Sequence, residues 1–255
     1  MQGRGRWSGR LRRSVGGVLA LGVAVGGLLF GSPTLTEPRV EAPHGVVGVS
    51  SWMSYVWIIR TPHGAALVDA GADPDGTSLM RELGAMGLGA EDVHTVLLTH
   101  GHWDHWAAAA RFPKAHVVAG KGDAALVRGE EESAALGARL GRRMGPEGAQ
   151  PRVLVELEGE QVLDVDGVPI RFIPLPGHTR GSAAYLYRDL LFTGDSLNRR
   201  RWGAVDFASR FYTDDAAQNR ASLERLLSLD FAATADGHQG VALDAKKKLA
   251  RLLGR

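Results

Sequence analysis

Three histidines and an aspartate lie within six positions of the sequence, in the segment THGHWDHW over residues 99–106. They are His100, His102, Asp104 and His105, spaced as His-x-His-x-Asp-His. Imidazole nitrogens and carboxylate oxygens are typical zinc donors. The apolar run VHTVLL precedes the segment, so a strand would deliver His100 to a loop at the edge of a sheet. The spacing therefore predicts a metal site.

Three further donors follow apolar runs later in the chain. His178 lies in LPGHTRGS, Asp195 in LFTGDSL and His238 in ADGHQG. Each is close to a glycine at a strand end, where a rigid scaffold commonly holds functional groups. Alone, each would be an ordinary turn or surface residue. Together with the first four they make seven donors, too many for one tetrahedral zinc and suitable for two metals.

The order of these donors resembles that of the metallo-β-lactamase-fold hydrolase superfamily, over roughly residues 44–240. The resemblance implies an α+β fold, an αββα sandwich with the site at one edge of its two sheets. It implies two metal sites and a bridging ligand: His100, His102 and His178; Asp104, His105 and His238; and Asp195 between them. Asp69, in LVDAG, matches an early aspartate that supports the ligands in the family. A plain turn aspartate is the alternative interpretation.

The cofactors that the resemblance implies are two zinc ions, with iron or manganese as alternatives. Such a pair shares a water and lowers its pKa, so that hydroxide forms near neutral pH and attacks a carbonyl. Asp104 is expected to have a catalytic role too, by orienting the nucleophile or shuttling a proton. The implied function is hydrolysis of a small-molecule lactone, ester, thioester or β-lactam.

The glyoxalase II-like and lactonase-like branches fit best, because β-lactamases that lack the metal-binding cysteine usually lack the bridging aspartate. The sequence has no cysteine, which excludes disulfides, thiolate metal sites and a cysteine nucleophile. Two alternatives from other classes stay open. One is a mononuclear iron oxygenase similar to persulfide dioxygenases, and the other is an inactive, metal-free binding module of the same fold. The complete donor set argues against the second.

Two other groups of residues have both a functional and an ordinary interpretation. Arg199, Arg200 and Arg201, followed by Trp202, could receive an anionic substrate, or they form a solvated basic loop. Tyr212 could donate a hydrogen bond to a carbonyl, or it is a core tyrosine.

The elements that must position these residues follow from the hydrophobic pattern. Short apolar runs separated by turn residues predict strands from about His44 onward, in two β-rich halves. Helices are predicted in SLMRELGAMG, in the insertion over residues 121–145, in DDAAQNRASLERLLSL with Thr213 as its cap, and in the basic end of the chain. Two β-rich halves with helices predict two sheets packed face to face with helices outside.

The start of the chain differs from the rest. Five arginines precede an uncharged, apolar run from Ser14 to Gly31, a pattern typical of an export signal or a membrane anchor. We therefore expect a signal peptide or anchor over residues 1–31, a linker over 32–43 and the hydrolase domain over 44–255. That domain is expected in the periplasm or outside the cell, attached to the cytoplasmic membrane if the segment is not cleaved.

The charge of the remaining chain bears on its partners. Five of the 30 basic residues lie in the first 13 positions, and the other 25 are outnumbered by 28 acidic residues. By charge alone the body of the chain is not expected to bind nucleic acid, and the expected partner is a small-molecule substrate. The sequence makes no prediction of the oligomeric state.

Overall fold

The computed structural model of the chain describes residues 37–146, 150–151 and 154–255. The predicted signal or anchor segment over residues 1–31 lies outside these ranges. Within them, every helix is too short or too polar to cross a bilayer.

The first sheet has seven strands that pair in the order in which they occur in the chain. They are β1 (Arg39–Glu41), β2 (Val47–Ser51), β3 (Ser54–Thr61), β4 (Gly64–Val68), β5 (Val93–Leu97), β6 (His116–Gly120) and β7 (Leu154–Leu157). β1 to β4 are antiparallel, and β4 to β7 are parallel. Because parallel strands end at the same edge, the loops after β4, β5 and β6 meet there.

The second half of the chain contains eight strands. They are β8 (Gln161–Val165), β9 (Val168–Pro174), β10 (Ala183–Tyr187), β11 (Leu190–Gly194), β12 (Leu197–Arg199), β13 (Val205–Phe207), β14 (Ala233–Asp236) and β15 (Val241–Leu243). Six of them form the second sheet, in the order β15-β14-β11-β10-β9-β8, and β12 pairs with β13 alone. β11 and β14 are parallel, so the loops that follow these two strands also lie at one edge.

Five α-helices complete the described part of the chain: α1 (Thr77–Ala85), α2 (Ala124–Val127), α3 (Leu136–Met144), α4 (Ala216–Arg225) and α5 (Ala245–Leu252). α2 and α3 lie in the insertion over residues 121–145, where helices were predicted.

Three apolar clusters separate four layers. Ile58 of β3 faces the first cluster together with Leu79 of α1, whereas Trp57, its neighbour on the strand, faces the second cluster between the two sheets. Successive strand residues point to opposite faces, so β3 contributes to both clusters. Leu223 of α4 and Leu249 of α5 pack in a third cluster on the outer face of the second sheet. The layers are therefore helix, sheet, sheet and helix, which confirms the predicted αββα sandwich.

The structure places residues 39–43, predicted as part of the linker, in the folded domain instead. β1 pairs with β2, with Val40 opposite Gly48. Arg39 forms an ion pair with Glu82 of α1 at 3.0 Å. Pro38 does not prevent this strand, because it lies just before the first strand residue, where a missing N–H costs no ladder bond.

The residue that caps α4 is not Thr213, which the sequence predicted. The helix begins at Ala216, so the capping position is Asp215, whose Oδ1 accepts a hydrogen bond from the Gln218 N–H at 2.9 Å. Asp215 satisfies one of the N–H groups that the first turn leaves unpaired. Thr213 contacts one of the predicted metal ligands instead.

Candidate metal centre

The structure brings all seven predicted donors together at one edge of the two sheets. The donor atoms form three groups in which every atom lies within 4.8 Å of the others. The groups are His100, His102 and His178; Asp104, His105 and His238; and His100, His105 and Asp195. The first two are the two triplets that the resemblance implies, and the third links them.

The three nitrogens of the first triplet point at one another. His102 Nδ1 is 3.1 Å from His100 Nε2 and 3.1 Å from His178 Nε2. All three side chains are buried. Whether these nitrogens carry protons or lone pairs depends on the hydrogen bond that the other nitrogen of each ring makes.

The hydrogen bond of Thr99 determines the tautomer of His100. The Thr99 hydroxyl donates to Asp69 Oδ2 at 2.8 Å, so its oxygen acts as an acceptor for His100 Nδ1 at 3.1 Å. His100 therefore carries its proton on Nδ1, and the lone pair of Nε2 faces the centre of the triplet.

His102 and His178 have the same arrangement. The Ser133 hydroxyl donates to Asp214 Oδ1 and accepts from His102 Nε2, at 2.6 and 3.4 Å. The Thr213 hydroxyl donates to a backbone carbonyl and accepts from His178 Nδ1, at 2.7 and 3.1 Å. In each case the lone pair of the other ring nitrogen faces inward. Such outer partners commonly fix the tautomers of metal-binding histidines.

Three inward lone pairs fit a cation. Protonation of these nitrogens is unfavourable, because burial lowers the pKa of His178 to about 3 and holds the pKa of His100 well below its usual range. Burial also lowers the pKa of His102, despite nearby carboxylates. Metal binding requires neutral imidazole, and these three rings are held in that form.

Two buried polar atoms at the second triplet and its neighbour Asp195 have no hydrogen-bond partner among the described residues: His105 Nε2 and Asp195 Oδ1. His105 Nδ1 donates to Asp69 Oδ2 at 2.8 Å, so Nε2 is the ring nitrogen that faces Asp104 and Asp195. His238 Nδ1 donates to the Met53 carbonyl at 2.7 Å. Both histidines thus direct Nε2 at carboxylates, where the nitrogen carries a proton or, once that proton is lost, can bind a cation.

Asp195 contacts both triplets. Its Oδ2 is 3.7 Å from His178 Nε2 and 3.0 Å from His238 Nε2, and its Oδ1 is 3.4 Å from His105 Nε2. Burial would raise the pKa of Asp195, but the imidazoles around it, His238 and His105 first, hold it well below its usual range. The carboxylate is therefore ionised and lies where a bridging ligand would lie.

The carboxylates of the second triplet attract positive charge. Burial would lower the pKa of His105, but Asp104, Asp195 and Asp69 outweigh it and raise that pKa to about 9. Burial likewise opposes the shift of His238, whose pKa Asp195 and Asp104 raise to about 10. The same negative charge that attracts protons here would attract a divalent cation.

Asp69 supports the ligands and is not a plain turn residue. Its Oδ1 accepts from the Thr99 backbone N–H at 2.7 Å, and its Oδ2 accepts from His105 at 2.8 Å. It is almost fully buried and has a φ of 61°, a conformation that non-glycine residues rarely adopt. Asp69 therefore fixes both the strand end before His100 and the ring of His105.

Asp123, a second buried carboxylate beside the ligand loops, is a residue of the site that sequence reasoning missed. It accepts from the N–H of Gly101 at 2.6 Å, the N–H of Gly181 at 2.7 Å and the hydroxyl of Thr179 at 2.5 Å. Burial raises its pKa to about 6. Gly101 lies between two ligands and Thr179 follows a third, so this carboxylate joins the loops that carry the first triplet. Its partners are 22 to 58 positions away, which is why no local pattern pointed to it.

We expect Asp123→Asn to weaken metal binding at the first triplet by about 10- to 100-fold. The amide would place an N–H₂ group against backbone N–H or hydroxyl donors, so the loops of His102 and His178 would separate. The measurement is titration of the metal-free protein with zinc. Asp166→Asn is the matched control, because Asp166 also accepts from a threonine, Thr61, but on a turn outside the ligand loops. Lower thermal stability with unchanged zinc affinity would show a merely structural role.

The basic loop and Tyr212 also have clear surroundings. Arg199 donates to the Gln239 carbonyl at 3.1 Å, and Arg200 forms an ion pair with Asp206. These contacts favour the interpretation of this segment as a solvated basic loop.

Tyr212 is exposed, so its interpretation as a core residue is wrong. Partial burial and the charge of Asp104 raise the pKa of Tyr212.

A buried histidine and aspartate cluster at the edge of an αββα sandwich defines a candidate metal-dependent enzyme. The chain belongs to the metallo-β-lactamase superfamily, whose sequence model matches residues 50–238.

Individual relatives agree with this assignment. A hydroxyacylglutathione hydrolase of Albidiferax ferrireducens is 31% identical over 182 residues, which cover 69% of this chain and 58% of that protein. A probable metallo-hydrolase of Mycobacterium bovis is 30% identical, over 79% of this chain and 72% of its own length. The crystal structure of a metallo-β-lactamase family protein from Thermus thermophilus has a TM-score of 0.61 at 24% identity, covering 87% of this chain and 79% of that one. The structural match shows the fold alone.

Proposed function

We propose that the protein is a dinuclear zinc hydrolase that acts on a carbonyl group of a small molecule. The observation that carries the proposal is the position of Asp195, whose two oxygens contact histidines of both triplets. One triplet would hold one zinc through His100, His102 and His178. The other would hold a second zinc through Asp104, His105 and His238, with Asp195 shared.

The two zinc ions, when bound, would supply Lewis acidity and an activated water near neutral pH. The protein's own groups would direct this chemistry. Asp104 Oδ2 lies 3.6 Å from His105 Nε2 and 3.7 Å from His238 Nε2, and the side chain is partly exposed. It can therefore orient a water and accept its proton. Tyr212, beside Asp104, can donate a hydrogen bond to a substrate carbonyl.

The substrate class is a lactone, ester, thioester or β-lactam, with the glyoxalase II-like and lactonase-like branches preferred. The name of the Albidiferax relative, hydroxyacylglutathione hydrolase, refers to a thioester and so supports a thioester as the substrate. This chain spans less than two thirds of that relative's length, so the proposal extends to the class of reaction and not to the relative's own substrate. We also propose that the domain acts outside the cytoplasm, because the start of the sequence is typical of export.

Metal analysis combined with activity assays tests the proposal. Purified protein should contain about two zinc ions per chain and should hydrolyse at least one member of a panel with a thioester, a lactone, an aryl ester and a β-lactam. About one iron per chain with oxygen consumption would support the mononuclear oxygenase instead. A protein that binds no metal and hydrolyses nothing would be the binding module.

A further inference from the structure

The helix α3 exposes a stripe of large apolar side chains. Leu136, Leu140 and Met144 are spaced four residues apart, so they lie along one side of the helix. Single exposed apolar residues are common on soluble proteins, but contiguous ones usually mark a binding surface. The inward side of α3 has glycines instead: a Cβ at Gly141 would lie 3.3 Å from the indole nitrogen of Trp103. α3 therefore lies directly on the loop that carries His102 and Asp104.

A second apolar segment packs on α3. The ring of Phe211 packs so closely on α3 that a Cβ at Gly137 would lie 2.5 Å from it. Tyr212 meets Phe211 edge to face, with ring centroids 5.0 Å apart. We call the five side chains the apolar rim: Leu136, Leu140, Met144, Phe211 and Tyr212. Their exposed fractions lie between 38% and 64%.

Hydrogen bonds attach both segments of the apolar rim to the metal centre. Ser133, three residues before Leu136, accepts from His102. Thr213, next to Tyr212, accepts from His178. Asp214 joins the two segments, because its Oδ1 accepts from the Ser133 hydroxyl at 2.6 Å and from the Ala135 N–H at 2.9 Å. The apolar rim is thus held at a fixed position beside the histidines.

We propose that the apolar rim binds an unbranched apolar acyl chain of the substrate while the substrate's carbonyl lies at the metal centre. This inference rests on the proposed hydrolase function and adds the specificity of the same site. The continuity of the rim with the ligand loops favours a substrate over a macromolecular partner. Its small size agrees, since the rim has five partly exposed side chains, whereas a stable protein interface takes about 20 to 30 residues on each side.

The test is a series of esters or thioesters that share one leaving group and carry straight acyl chains of two to ten carbons. Transfer of a methylene from water to an apolar site is worth up to about fourfold, so kcat/KM should rise by about two- to fourfold per methylene in the middle of the series. Leu140→Ser should lower the ratio of kcat/KM between the ten-carbon and two-carbon substrates by about three- to tenfold. Val162→Ser, on β8, is the matched control, because Val162 is 65% exposed and lies outside the apolar rim. It should leave the ratio as in the wild type.

A second measurement does not depend on turnover. Calorimetric titration of the metal-free protein with decanoate should show binding that Leu140→Ser weakens and Val162→Ser does not. If no substrate is hydrolysed, the proposed function fails, and the decanoate titration alone decides on the apolar rim. Hydrolysis with a flat chain-length series and no decanoate binding would overturn the inference and leave the proposed function standing. A flat series with a dimer or vesicle binding that Leu140→Ser abolishes would also overturn it.

Discussion

Asp195→Asn is expected to reduce kcat/KM by about a hundred- to a thousandfold, the usual cost of losing one preorganised electrostatic group in an active site. Both oxygens of Asp195 face imidazole nitrogens, and together they contact the two triplets. Asparagine has nearly the same size, but it has no negative charge, and its amide nitrogen is a poor ligand for a divalent cation. The second zinc should therefore bind weakly, while the first keeps its three histidines.

Zinc titration of the metal-free variant measures this directly, with two tight equivalents expected in the wild type and one in Asp195→Asn. Asp189→Asn is a suitable control, because Asp189 immediately precedes β11 and Asp195 immediately follows it. The side chain of Asp189 pairs with His44, away from the metal centre. Two tight equivalents and an unchanged rate in Asp195→Asn would show that this residue is not a bridge, and the preference for the glyoxalase II-like and lactonase-like branches would fall with it.

His102→Ala is expected to reduce hydrolysis to near background and to remove the first tight zinc equivalent. Its Nδ1 is the atom that both other nitrogens of the first triplet face, at 3.1 Å each. Two histidines alone do not complete a catalytic zinc site, which usually has three protein ligands. The second triplet does not include His102, so its zinc should still bind.

Circular dichroism and thermal unfolding of the metal-free protein should show that His102→Ala keeps the fold. His116→Ala provides the control, because His116 is an exposed histidine at the start of β6, the end of the strand away from the ligand loops. It should retain wild-type rates and zinc content. Near-normal activity and full zinc content in His102→Ala would contradict the assignment of the first triplet.

The sequence predicted the seven donors because their signal is local. Each follows an apolar run, and strand ends of one sandwich converge at an edge, so spacing and strand pattern together were sufficient. The residues that hold the donors were not predictable in this way. Ser133 and Thr213 are ordinary loop residues in the sequence, and they contact ligands 31 and 35 positions away. Only the folded chain shows which hydroxyl meets which ring.

The errors of sequence interpretation have a similar cause. Thr213 was a reasonable cap for α4 from composition, but the helix begins two residues later than that cap required, and Asp215 took the role. Tyr212 suited a core by its type, yet the surrounding segment lies at the metal centre and leaves the side chain exposed. Residues 39–43 were predicted as linker, yet Arg39–Glu41 pair with β2, because a proline just before an edge strand is compatible with pairing. In each case tertiary contacts outweighed a weak local preference.

Neither sheet carries a complete triplet. Loops of the first sheet supply His100, His102, Asp104 and His105, and loops of the second supply His178, Asp195 and His238. Any ion bound at either triplet would therefore link the two sheets of the sandwich. By mass action, a ligand that binds only the assembled state stabilises that state. Zinc would then stabilise the packing of the two halves against each other, and a chelator would weaken it. Metal affinity would in turn measure how stable that packing is.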